Sequence, residues 1–307
     1  MNNFNRISEL KIKASLNSAG KTVLEDQFFT APFKIMKPFA RDDGGITVYQ
    51  QSASAGIMAG DQQKHDFFVN DGATLELVSQ SFEKIFKMDD GAVAVRNIVA
   101  QVGSGALFVY TPLPCMPFAG SAFESKTVIS LKDSTSRLVY ADCICCGRKA
   151  HGEAFDYRYY KNLVEIRRES DCKLIYRDNT IFEGSDCGLF PERKAFMQTP
   201  VMYGQYSHSG TMLLFGFGVK PADLFVPLGL EPKLLYTTQN LEEAEKTAVP
   251  QVSVTQTEGS GIAIRVLANS AEQVQKIFES VSGWQKIHDA GSGKGHLRCR
   301  QLCDPAQ

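Results

Sequence analysis

Apolar and polar residues alternate with a period of two along much of the chain. Leu10, Ile12, Ala14 and Leu16 are separated by polar positions, the pattern of a strand with one face in a core. Residues 46–50, 74–78, 106–111, 127–131, 137–145, 163–167 and 174–177 read in a similar way. Turn signals punctuate them: Asp42-Asp43-Gly44-Gly45, Asn70-Asp71-Gly72, Asp89-Asp90-Gly91 and Gly103-Ser104-Gly105. Short strands at steady spacing predict a mainly β protein, a sandwich, a barrel or a β-helix-like stack of strands, over alternating βαβ units. Helical spacing comes late. Residues 221–228 and 240–248 predict short helices, the second capped by Asn240. Residues 270–287 predict the longest helix, with Ser270 as cap, Glu272 in the first turn and an apolar stripe of Val274, Ile277, Phe278, Val281 and Trp284. A strand over 261–267 precedes it. No internal repeat and no clear domain boundary is visible. The reading is one domain over 1–307, strand-rich to about 220, smaller and mixed α/β over 221–290, with a Gly/Ser/basic tail over 291–307 expected to fray.

Composition narrows the function classes. The 307 residues are 43% hydrophobic and 22% charged, values of an ordinary globular chain with a large core. A formal net charge of −1 argues against nucleic acid as the main partner. The N-terminal residues show no apolar leader segment, and no apolar run approaches the length of a membrane span, so the cytoplasm is the expected compartment and no membrane partner is implied. The eight cysteines are then reduced thiols, and none forms a CxxC pair.

The search for catalytic motifs returns little. Gly291-Ser292-Gly293-Lys294-Gly295 places Lys among glycines, but no strand precedes it and no Ser or Thr follows the Lys. There is no GxSxG, no HExxH and no EF-hand loop. This points to a binding or scaffold role and not to an enzyme. Three stretches remain. Ala55 to Asp61 puts two glycines ahead of a carboxylate, a tight turn whose Asp61 either caps its own backbone or faces a site. Tyr110 to Phe118 carries three prolines and reads as a stiff edge or corner. Tyr140 to Glu153 is the richest. On a strand over 137–145, Leu138, Tyr140, Asp142 and Ile144 share a face, so Asp142 is a carboxylate on an otherwise apolar side. Either it pairs with Arg148, in which case its loss costs about 3–5 kcal/mol, or it lines a polar passage. Cys143 and Cys145 lie on the opposite face, as small buried residues or as soft metal ligands. His296, Cys299 and Cys303 in the tail share one face if helical.

Several stretches, in this order, resemble the urease accessory proteins of the UreD (UreH) family. They are Ala31 to Phe39, Gly56 to Asp61, Ser79 to Met88, Leu113-Pro114 through Pro117-Phe118-Ala119-Gly120-Ser121, Gly147-Arg148 with Gly152-Glu153, and Ile264-Arg265-Val266-Leu267 ahead of the Trp284 helix. The resemblance covers residues 30–290. It implies a β-helix-like stack of strands with a few helices toward the C-terminus. It also implies a non-catalytic scaffold that binds UreF, recruits the GTPase UreG and passes Ni(II) in transit to apo-urease through an internal tunnel. By the family pattern, Asp61, Asp142, Glu153 and, more weakly, Glu165 are tunnel-lining candidates. The Cys143-Ile144-Cys145-Cys146 run departs from that pattern and leaves open a thiolate stop near Asp142. Two alternatives stand beside this reading. One is a β-rich interaction module without metal transit, with Asp61, Asp142 and Glu153 at the surface or in fixed ion pairs and no connecting cavity. The other is a metal-dependent hydrolase built from Asp61, Asp142, Glu153 and His151, which requires them to converge on one ion.

Overall fold

The computed structural model describes residues 7–89, 91–184, 193–229 and 249–291, with side chains of the last stretch described as far as Ser282. The strands in chain order begin with β1 (Ser8–Leu16), β2 (Thr22–Phe29), β3 (Phe33–Ile35), β4 (Phe39–Ala40), β5 (Ile46–Ser52) and β6 (Gln62–Val69). There follow β7 (Thr74–Ser79), β8 (Glu83–Ile85), β9 (Ala94–Val102), β10 (Leu107–Tyr110), β11 (Cys115–Pro117) and β12 (Ala122–Leu131). The last six are β13 (Arg137–Cys145), β14 (Tyr159–Arg168), β15 (Lys173–Glu183), β16 (His208–Phe215), β17 (Gln251–Gln256) and β18 (Ile262–Ala268). Two helices are described, the short α1 (Arg193–Met197) and the long α2 (Ala271–Gly291).

Sheet A runs β15-β14-β12-β9-β6-β1-β2, and sheet B runs β17-β18-β16-β13-β10-β7-β5-β3 with the short β4, β8 and β11 beside that path. From β5 to β14 the chain steps back and forth between them. Strands β6, β9, β12 and β14 stack in parallel in sheet A. Strands β5, β7, β10 and β13 do so in sheet B. Each step between sheets supplies the crossover that a parallel pair requires. The result is the β-helix-like stack expected from the sequence. Antiparallel strands close its ends: β2 on β1, β15 on β14, and β16, β18 and β17 on β13.

The core lies between the sheets and is split in two. One cluster contains Leu10, Ile12, Phe67, Leu75, Phe108, Leu138, Ile166 and Phe215. The other contains Ile85, Ala94, Phe123, Ile144, Tyr157, Tyr160 and Tyr203. A third cluster covers the outer face of sheet B, where α2 sets Val274 and Val281 against Cys143, Met212, Ile264 and Val266. Ser270 caps α2 by accepting a 3.2 Å bond from the Gln273 N–H, and the Gln273 side chain accepts from the Asn269 N–H at 2.9 Å. The helix comes close enough to β16 that Gly210 is required, since a Cβ there would sit 2.5 Å from Val274 Cγ1.

One expectation changes. The helix over 221–228 shortens to a 3₁₀ turn at Pro221–Leu224. Strands β17 and β18 extend sheet B, so the C-terminal portion shares a sheet with the strand-rich part. The helix over 240–248 and the tail beyond Gly291, with His296, Cys299 and Cys303, lie outside the described residues. The proline-rich corner becomes β11, which pairs in parallel with β8 and touches β13 through Cys115 and Ile144.

Candidate functional site

Between the two core clusters, the inward positions of successive strands turn polar. In sheet A, Gln63, Arg96, Ser125, Asn162 and Thr180 stand opposite one another across β6, β9, β12, β14 and β15. With strands about 4.8 Å apart, this row extends about 19 Å along the stack. In sheet B, Asp142, Thr211 and Arg265 form a matching row across β13, β16 and β18. The apolar neighbours on each strand fix which side the row faces. Leu138 and Ile144, four and two residues either side of Asp142 with the same parity, belong to the two inner clusters. Met212 and Ile264, beside Thr211 and Arg265, belong to the outer cluster under α2. The stack therefore holds a polar seam along its axis.

Three charged positions define the seam: the Arg96–Glu83 pair, Asp142 and the Arg265–Asp178 pair. Arg96 donates from Nε and Nη2 to Gln63 Oε1 at 2.8 and 2.7 Å, and from Nη1 to Glu83 Oε2 at 2.6 Å. Its guanidinium also lies 5.3 Å from the Phe123 ring centroid. Burial opposes the Arg96 charge, and Glu83 outweighs it, so the guanidinium pKa lies above its ordinary value. Asp142 sits in the middle. Its Oδ2 accepts from the Tyr140 hydroxyl at 3.2 Å and from Asn162 Nδ2 at 2.9 Å. Both partners are neutral, and among the described residues no cation forms an ion pair with it. Burial pushes the Asp142 carboxyl up to about 6. The residue is nonetheless only half-buried. At the β15–β18 end, Arg265 Nη2 donates to Asp178 Oδ2 at 2.5 Å, and Asp178 also accepts from Tyr176 and Thr180 at 3.1 Å each.

The other sequence candidates lie elsewhere. Asp61 accepts from the Met58 N–H at 2.8 Å and so caps its own turn. That turn needs Gly56, where a Cβ would meet the Lys84 carbonyl at 2.5 Å. Arg148 pairs with Glu153 through Nε at 2.9 Å, not with Asp142. Glu153 also accepts from the Ala119 N–H at 3.2 Å. These bonds, Arg148 first, hold the Glu153 carboxyl below the ordinary range. Glu165 faces away from the seam, since Asn162 and Val164 point inward on β14, and it pairs with Arg167 and Arg177. Cys143 is buried under α2. Cys145 contacts the Gly147 carbonyl at 3.7 Å. Burial pushes the Cys143 thiol well up and the Cys145 thiol to about 11, so neither is a ready thiolate. Among the described residues no three His, Cys, Asp or Glu side chains are grouped to hold a metal ion, so Asp61, Asp142, Glu153 and His151 do not converge.

Sequence reasoning missed Gln63, Glu83, Arg96, Asn162, Asp178 and Arg265. Glu83 and Arg265 stand inside stretches that carry the family resemblance, but nothing in the linear pattern shows that they face inward. No described helix is long and apolar enough to cross a membrane.

Comparison with known proteins gives the family. The family model described as UreD urease accessory protein matches residues 8–298. A urease accessory protein UreD from Acetivibrio thermocellus is 32% identical over 281 residues, 91% of this chain and 97% of the relative. A urease accessory protein UreH from Helicobacter pylori is 30% identical over 282 residues, 92% of this chain and 96% of the relative. One from Helicobacter hepaticus is 30% identical over 274 residues, 89% of this chain and 96% of the relative. With the match spanning nearly the whole chain, this protein belongs to the UreD family of urease accessory proteins.

Proposed function

We propose that this chain is a non-catalytic urease maturation factor that works with UreF and the GTPase UreG to pass Ni(II) to apo-urease, and that the ion moves through the polar seam. The family supports the role in maturation. The observation that carries the passage is Asp142, an enclosed carboxylate with neutral partners and no ion-pair partner among the described residues. Such a group offers a dication a negative charge that no resident cation already occupies. Carboxylate, phenol and amide oxygens exchange their ions readily, whereas a cluster of thiolates retains soft metals. An enclosed route also keeps the cargo from ligands that would win on affinity alone. Asp61 is held in its own turn and Glu153 in an ion pair, as the plain interaction module expects, so that alternative keeps its support from two of its three carboxylates. Asp142 is the residue that separates the readings.

The test is co-expression of the chain with UreF, UreG and urease subunits from one source, with a control lacking the chain. Urease activity and nickel content should fall together without the chain. They should return with wild type and remain low with Asp142→Asn. Full maturation with Asp142→Asn would favour the interaction module. Full maturation without the chain would remove the maturation role itself.

A further inference from the structure

The two arginines of the seam are held in opposite ways. Arg96 has a side chain only 10% exposed, clamped by Gln63 and Glu83 and packed over Phe123. It has no room to leave. Arg265 is 56% exposed while its partner Asp178 is 17% exposed. Its bond to Asp178 crosses from sheet B to sheet A, where β15 and β17 end the two sheets. Beyond Arg265 in the same row stands the small Ser253 of β17. Inward from it stand Thr211 and then Asp142, two strands away, about 10 Å by sheet spacing. Asp178 and Arg265 act in opposite directions on the Asp142 carboxyl, so the charge of each reaches it. Paired with Arg265, Asp178 is neutralised. Freed from it, Asp178 and Asp142 together present two negative charges, which a divalent cation matches.

We infer that the Arg265–Asp178 pair is a cation-exchange gate at the β15–β18 end of the seam: an incoming divalent ion takes the Asp178 carboxylate and the Arg265 guanidinium swings to solvent. No bond is made or broken beyond the exchange of one ionic partner for another. The long side chain and its exposed position let the guanidinium remain hydrated when displaced. Arg96 has no such exit, which sets the direction from which a cation is admitted. The inference deepens the proposed passage and rests on it, but the gate has its own readout.

That readout is Ni(II) binding to the full chain, measured by equilibrium dialysis with NiCl₂ and with melting curves as the folding control. Arg265→Gln removes the resident cation and should tighten Ni(II) binding by at least about tenfold. Adding Asp178→Asn to it should cancel the gain. Should Arg265→Gln not fold, Asp178→Asn alone should weaken Ni(II) binding relative to wild type. A folded Arg265→Gln chain with unchanged affinity would overturn the gate, as would unchanged binding by Asp178→Asn. If that happens while Asp142→Asn still blocks urease activation, the passage survives without a gate. If Arg265→Gln binds more tightly while Asp142→Asn matures urease fully, the gate stands as a cation site and the delivery reading fails.

Discussion

A carboxyl group whose pKa rises on burial destabilises the fold once it ionises. Asp142 has an ordinary value of 3.8 and about 6 in the folded chain. Between these values the folded state holds more protons than the unfolded state, so stability falls as pH rises through that window. The full deficit is present above about pH 6, and a rise of this size in the pKa corresponds to about 3 kcal/mol. Asp142→Asn keeps an acceptor for Tyr140 and Asn162 and removes the charge. It should therefore raise stability at pH 7.5 by up to about 3 kcal/mol, with the gain vanishing near pH 4. Urea denaturation at the two pH values measures this, and a variant equally or less stable at pH 7.5 would mean that Asp142 is not the enclosed charge described here. Had Asp142 neutralised Arg148, the same change would have destabilised the fold, so the experiment also decides between the two roles its sequence position allowed. The site was half legible for this reason. Period-two spacing placed Asp142 on an inward face and Cys143 on the other. Which cation stood near it depended on contacts between strands far apart in the chain, and Arg148 serves Glu153 instead.

At the scale of elements, the strands that alternation revealed are those whose inward residues are apolar. Strand β13 was legible at its observed limits because Leu138, Tyr140 and Ile144 carry the pattern past Asp142. Strands β6 and β9 escaped because Gln63, His65 and Arg96 occupy inward positions, so the polar seam erased the signal it interrupts. His65 shows the cost of that arrangement: both ring nitrogens lack a partner among the described residues, and burial pushes its pKa well below the ordinary value. Strand β16 escaped for the opposite reason. Met212 and Leu214 meet α2 while Leu213 and Phe215 enter the inner core, so both faces are apolar and nothing alternates. The contact of α2 with β16 is tight enough to test. At Gly210 a Cβ would meet Val274 Cγ1 at 2.5 Å and Phe278 Cζ at 2.9 Å. Gly210→Ala should cost about 1–3 kcal/mol by overpacking. Trimming the helix with Val274→Ala should make the second change less harmful than the two single costs predict, a coupling of the kind neighbours show. Strict additivity in thermal melts would place the strain elsewhere.

The whole molecule is an open stack, and an open stack has edges. Strand β2 ends sheet A on one side and β15 ends it on the other. Both expose apolar side chains, with Phe28 and Ile181 each 47% exposed. Unpaired strand edges with such residues template association. A formal net charge of −1 supplies little repulsion against it. The isolated chain should therefore associate as concentration rises. Phe28→Glu places an acid beside Lys11, whose Nζ now lies 5.8 Å from the Phe28 ring centroid, and Ile181→Lys puts a base on the other edge. Each should reduce association while leaving the melting temperature nearly unchanged, since surface changes of this kind cost about 0.5 kcal/mol or less. The double variant is the sharper experiment. One added acid and one added base leave the net charge at −1, so any gain in monomer comes from the edges and not from bulk repulsion. Sedimentation velocity over a concentration series should show the double variant monomeric where the wild type is not. Equal association by both would mean that the contacts form away from the edges of sheet A, and that charges on β2 and β15 already protect those edges.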